Sequence, residues 1–186
     1  MRNINLSKAV FVRPLLFLVL LSGFQASSAQ AQAVRYNINF QIKNMGINVD
    51  GAFSEVQGNF EFNPDQYRKG SIQVQIPVAS LNTGNKLRDR HLRSDDYFDA
   101  ARWPYIHFKS DSIRPTASAG QWMLYGSLRI KEVEKKIAIP FRLHTNKESQ
   151  FEAEGALTIN RRDYGVGGRS LILSDQVKAR IQVVFP

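Results

Sequence analysis

A period of two runs through most of the chain and limits what it can fold into. It starts at Val34, Tyr36, Ile38, Phe40 and Ile42, which alternate with Arg35, Asn37, Asn39, Gln41 and Lys43. Successive side chains of an extended strand point to opposite faces, so this spacing predicts a half-buried strand. The alternation returns in Val56, Gly58, Phe60, Phe62 and in Ile72, Val74, Ile76, with Asn63-Pro64-Asp65 and Lys69-Gly70 supplying turn residues between the two runs. It resumes with Ile106 and Phe108, then Trp122, Leu124, Gly126, Leu128, Ile130, then Ile137, Ile139, Phe141, Leu143. A seventh strand is read at residues 151–159 and a last one in Val177, Ala179, Ile181, Val183, Phe185. The expectation is an all-β domain of about eight antiparallel strands, each with one apolar face.

Between the third and fourth strands the period changes. Leu87, His91 and Leu92 stand at helical spacing. Thr83 or Asn85 is placed to cap a first short helix and Ser94 a second, which Trp103-Pro104 would stop. This predicts a helical insert over one end of the sheet. Eight such strands form either a sandwich or a closed barrel. The barrel is favoured because closure removes edge strands, and its interior is wide enough to be packed by side chains or to hold one small ligand. Pattern alone leaves packed and hollow open.

The N-terminus sets the expected compartment. Arg2, Lys8 and Arg13 precede an apolar run, residues 15–21, followed by Ala26, Ser27, Ser28 and the A-x-A sites Ala29-Gln30-Ala31 and Ala31-Gln32-Ala33. That layout predicts a signal peptide over residues 1–31, cleaved after Ala31 or Ala33, since the apolar run is short of the roughly 20 residues that cross a bilayer. The expected localisation is periplasmic, with residues 32–186 as one domain. The chain has 0 cysteines, which excludes disulfides, thiolate chemistry and cysteine-held metals. Its formal charge of +9 falls to +6 once Arg2, Lys8 and Arg13 are removed. The cations are scattered singly rather than gathered with aromatics into a stripe, which argues against nucleic acid. Anionic headgroups, or the anionic end of a ligand, suit such a chain better.

Several segments in order carry a family resemblance: Leu81-Asn82-Thr83-Gly84-Asn85, then Arg88-Asp89-Arg90-His91-Leu92-Arg93-Ser94, then Phe98-Asp99-Ala100, then Trp103-Pro104-Tyr105-Ile106-His107-Phe108-Lys109-Ser110. Phe40-Gln41-Ile42-Lys43-Asn44-Met45-Gly46 upstream, and Leu157-Thr158-Ile159-Asn160-Arg161-Arg162-Asp163-Tyr164-Gly165 and Leu173-Ser174-Asp175-Gln176-Val177 downstream, agree with it. Together they resemble the YceI-like family. The resemblance implies an exported, lipocalin-like, eight-stranded antiparallel barrel with a short helical insert. It also implies an interior that takes a polyisoprenoid, an isoprenoid quinone or another long-chain lipid, with no cofactor, metal or catalytic residue. Two departures mark this chain. Lys131-Glu132-Val133-Glu134-Lys135-Lys136 stands where many members turn on glycine, and no histidine lies near Lys43-Asn44-Met45.

The candidate ligand-binding residues are Tyr36, Phe40, Phe60, Phe108, Trp122 and Phe141, all on the apolar parity of their strands, with Phe98 and Trp103 at the end of the insert as covers for a barrel mouth. Arg88 and His91 on the insert are candidates to meet a polar head, with Arg88 the bidentate donor. Asp89 has a plainer use, pinning the insert to the rim. A rival reading makes His91 a base oriented by Asp89 in an enzyme acting on an apolar substrate, and another is a packed, stress-related barrel without ligand. Gly165-Val166-Gly167-Gly168-Arg169-Ser170 lacks the third glycine and the following helix of a dinucleotide loop. A membrane surface and a second copy of the chain remain candidate partners.

Overall fold

The computed structural model describes residues 34–186, and the expected signal peptide with its cleavage sites lies outside the described residues. The described chain forms β1 (Arg35–Asn44), β2 (Ile47–Phe53), β3 (Gln57–Glu61), β4 (Ser71–Pro77), β5 (Leu81–Asn82), α1 (Lys86–Arg93), β6 (Tyr105–Pro115), β7 (Gln121–Ile130), β8 (Val133–Thr145), β9 (Phe151–Asn160) and β10 (Leu173–Phe185). All ten strands belong to one antiparallel sheet in the order β3-β4-β6-β7-β8-β9-β10-β1-β2-β5. First and last strands are neighbours, with Tyr36 opposite Val183 and Ile42 opposite Val177.

The strand count is thus ten where the alternation predicted eight, and the reason is a bend. β2 and β3 are separated only by Ser54, Glu55 and Val56, and β4 passes into β5 through a single 3-10 turn at Val78–Ser80. The backbone amide of Ser54 donates to the carbonyl of Ser80 (3.2 Å), so both runs bend at one corner. Pro77, with no N–H for a ladder, ends β4 at that point. β3 and β5, the two edges of the hydrogen-bonded ladder, are therefore continuations of β2 and β4. The sheet curls round on its own covalent chain rather than by a closing ladder.

Met45 (φ 51) and Gly46 (φ 78) make the turn between β1 and β2, with both residues in the left-handed region that a two-residue hairpin needs. The glycine-free hairpin between β7 and β8 is made the same way at its first position, by Lys131 at φ 54. α1 is capped by Asn85, whose Oδ1 accepts from the amides of Leu87 (3.0 Å) and Arg88 (3.1 Å). A second helix does not form. Residues 94–102 make turns, with the amides of Tyr97 and Asp99 both donating to Ser94 O and Asp99 at φ 50.

The interior divides into two apolar clusters. One gathers Ile76, Val78, Ile106, Ile130, Tyr164 and Val166, with Phe53, Tyr97 and Phe98 against them. The other holds Ile72, Phe108, Ile113 and Ile139, with Phe60, Phe62, Trp122 and Phe141. The second is closed by rings: Phe62 stands edge-on to Trp122 (5.5 Å), Phe141 (6.0 Å) and Phe185 (6.0 Å), and Tyr67 meets Trp122 at 5.6 Å. Beside them remains a void of about 60 Å³. The first cluster borders a much larger space.

Candidate ligand cavity

A cavity of about 390 Å³ lies inside the curled sheet at the end that carries α1. Its wall is built by the period of two. Ile38, Phe40 and Ile42 face inward from β1, Val49 and Phe53 from β2, and Val177 and Ala179 from β10, while Ile106, Ile130 and Ile159 contribute from β6, β7 and β9. Leu92, Tyr97 and Phe98 close over it from α1 and the turn beyond, Val166 and Ile172 from the glycine-rich loop and its continuation, and Leu173 from the start of β10. Polar lining is sparse: Asn44, Thr83, Arg88, His91, Arg161 and Ser170. The Oδ1 of Asn44 is buried with no hydrogen-bond partner among the described residues, an acceptor available to a donor entering the cavity.

Two polar clusters hold this end in shape. Asp89, buried, accepts at Oδ1 from the Thr83 amide (2.9 Å) and the Thr83 hydroxyl (2.6 Å). Arg88 completes the cluster by donating from Nε to Thr83 Oγ1 (2.7 Å) and from Nη2 to Thr83 O (2.8 Å). This ties α1 to the sheet margin after β5. The second cluster centres on Arg161, which is 4% exposed. It donates to the carbonyls of Ser174 (2.9 Å), Val166 (2.9 Å) and Gly168 (3.0 Å) and to Asp175 Oδ1 (2.9 Å). One guanidinium thereby binds two carbonyls of the 165–173 loop and one just beyond it, at Ser174. Gly167 (φ 70) lets the loop lie on Tyr97, since a Cβ there would fall 2.7 Å from that ring and 2.8 Å from Arg161 Nη1.

His91 does not meet Asp89. Its Nε2 faces Asp96 Oδ2 at 3.7 Å, and its ring stands edge-on to Tyr97 at 5.0 Å, with both ionisable groups open to solvent. The base and orienter pair of the enzyme reading is therefore not assembled, because Asp89 is already bound to Thr83. Among the described residues no three His, Cys, Asp or Glu side chains gather into a metal-holding group.

Of the candidate residues, Phe40, Arg88, His91 and Phe98 come together on this cavity. Phe60, Phe108, Trp122 and Phe141 belong to the other half of the interior, where Trp122 stacks on Phe141 (6.2 Å) and Phe60 packs on Phe185 (4.9 Å). Tyr36 stands edge-on to Phe60 at 6.3 Å, and burial pushes its phenol pKa up. Trp103 lies half-buried under the Arg102 guanidinium at 5.4 Å, off the cavity lining. Sequence reasoning passed over Phe53, Tyr97, Arg161 and Val166. The helical spacing points to Leu92, and nothing local distinguishes Arg161 from the exposed Arg162 beside it.

Curled antiparallel sheet and apolar cavity together define an all-β protein with an internal apolar chamber. The chain belongs to the YceI family, whose YceI-like domain model matches residues 30–185. A UPF0312 protein of Shewanella denitrificans is 32% identical over 115 residues, which cover 61% of this chain and 59% of that protein. The structure of BcnA from Burkholderia cenocepacia superposes with a TM-score of 0.75 at 27% identity, covering 81% of this chain and 96% of BcnA. A polyisoprenoid binding domain from Saccharophagus degradans, implicated in plant cell wall breakdown, shares the fold with a TM-score of 0.62 at 17% identity, over 84% of this chain and 97% of that domain.

Proposed function

We propose that the protein is an exported, non-enzymatic binding protein that takes the tail of a polyisoprenoid, an isoprenoid quinone or another long-chain lipid into the cavity and carries or stores it in the periplasm. The observation that carries this reading is the division of the lining. The walls are aliphatic and aromatic, and Thr83, Arg88, His91 and Ser170 stand where the chamber meets α1 and the loop. Such a lining suits an apolar chain with one polar end. Membership of the YceI family and the polyisoprenoid binding relative of the same fold support the ligand class.

Each buried CH₂ contributes about 0.8 kcal/mol, so several isoprene units supply on the order of 10 kcal/mol gross against the cost of association. The volume of about 390 Å³ is near the low end of the roughly 300–1,000 Å³ common for ligand pockets. A short tail fits inside, whereas a long one keeps part of its length at the mouth or displaces the rings of the closed end. Discrimination between similar tails is weak, because one methylene changes binding by only about 1–3 kcal/mol.

Native mass spectrometry of the protein isolated from its own envelope extract, followed by organic extraction, tests the reading. The expected result is a one-to-one adduct that extraction identifies as a prenyl or other long-chain lipid. An apo mass that persists after incubation with prenyl quinones and prenols overturns it.

A further inference from the structure

Three segments at the cavity end carry apolar side chains that the fold does not bury. Met45 (72% exposed) and Ile47 (70%) stand at the β1–β2 tip, Leu171 and Ile172 on the 165–173 loop, and Leu87 (69%) on α1 beside the cavity-lining Arg88. Of the large apolar residues exposed among the described residues, only Tyr125 lies elsewhere, on β7 beneath the Arg114 guanidinium. Met45 is the more telling because its φ of 51 is a conformation for which asparagine or glycine is the cheaper choice. Its amide donates to Ile172 O at 2.8 Å, which ties the two tips into one surface.

The charge on these tips is mainly basic. Segments 43–48, 84–91 and 165–172 contain Lys43, Lys86, Arg88, Arg90 and Arg169 and one carboxylate, Asp89, which is buried on Thr83. Asp95 and Asp96 follow on the turn beyond α1, and Asp96 faces His91. Apolar residues on projecting loops with cations around them match the interface of an anionic bilayer, where side chains enter the headgroup layer and ammonium and guanidinium groups meet phosphates. A second copy is the poorer occupant, because a two-fold contact through this end would set the same cations against each other.

We infer that the cavity end docks on an anionic phospholipid surface, with Met45, Ile47, Leu171 and Ile172 entering the headgroup layer and the mouth turned toward the membrane. The inference rests on the lipid-binding reading for its purpose, since a tail then passes between bilayer and cavity without crossing water. Its physical basis is separate.

The test is co-sedimentation of the protein with vesicles of phosphatidylcholine alone and of phosphatidylcholine mixed with phosphatidylglycerol. Binding is expected to the mixed vesicles and to fall as salt is raised. Met45→Asp combined with Ile47→Asp and Leu171→Asp should weaken it at least about tenfold, and Lys86→Gln or Arg90→Gln about fivefold each. None of these five residues lines the cavity, so binding of a water-soluble short prenyl quinone in the absence of vesicles should be unchanged in every variant. Wild-type protein that ignores anionic vesicles overturns the inference, as does a triple variant that binds them equally well. A dimer in sedimentation equilibrium that the triple variant abolishes overturns it in favour of a second copy. Vesicle binding with the expected variant losses, in a protein that takes up no prenyl compound, leaves docking standing and removes the cargo reading alone.

Discussion

The ring of Phe40 lies across Gly51, its register partner on the neighbouring strand, so closely that a Cβ on Gly51 would come within 2.3 Å of Phe40 Cζ. Phe40 also leans on Phe53 at 5.6 Å and forms part of the cavity wall. The missing side chain at position 51 therefore sets where the wall stands. Gly51→Ala is expected to push the ring inward, cost about 1–3 kcal/mol of stability through overpacking, and weaken tail binding. Denaturant unfolding and a prenyl quinone titration of the same variant check both effects.

Arg161 predicts the behaviour of the loop over the mouth. Arg161→Leu leaves the carbonyls of Val166, Gly168 and Ser174 without their donor, at a cost of about 3 kcal/mol. Asp175 adds little to that figure, because it is partly exposed and keeps Arg162 at 3.2 Å. Hydrogen exchange should show protection lost first across residues 165–173, with the β7–β8 ladder retained.

The closed end should behave as core. Phe141→Ala is expected to cost about 3 kcal/mol, because Phe62 and Trp122 lose the ring they pack on. Tail affinity in the chamber near α1 should be nearly unchanged for a short prenyl quinone. A large loss of affinity with unchanged stability would instead place the tail among Phe60, Trp122 and Phe141.

His107 lies opposite Arg129 on the neighbouring strand, and desolvation together with that guanidinium lowers its pKa below the ordinary 6.5. The unfolded chain then takes up a proton before the folded one as pH falls. The stability contribution is complete above about pH 6.5, declines below it, and stops declining under the folded value. His107→Gln should therefore shrink the difference in urea midpoint between about pH 7.5 and about pH 5.5. An unchanged difference would assign the slope to other groups.

Much of the fold was legible because alternation is a local signal. Phe40, Phe108, Trp122 and Phe141 all face inward as their parity requires. β2 escaped because Asp50-Gly51 reads as turn chemistry, whereas Gly51 sits mid-strand to admit the Phe40 ring. β5 escaped because Leu81 and Asn82 are too few to show a period. The site was only half legible for a physical reason. Phe40 and Phe141 share the same parity and composition, and what separates a chamber from a core is whether a ring from across the interior, here Phe62 just beyond β3, meets the ring on the strand. That is a property of long-range packing, which local pattern does not carry. Arg161 was hidden likewise, since its partners lie up to 14 residues away, on a loop with no period and at the start of β10.

The most direct test uses Ala179, which sits opposite Phe40 on β10 and lines the chamber. Ala179→Phe fills the space with a ring while leaving α1, the 165–173 loop and the rings of the closed end in place. Isothermal titration of wild-type and variant protein with one short prenyl quinone makes the comparison. Saturable one-to-one binding to wild type, weakened at least about tenfold in a variant of equal or higher stability, is the predicted result. Equal affinity of the two proteins would contradict a tail held in this cavity.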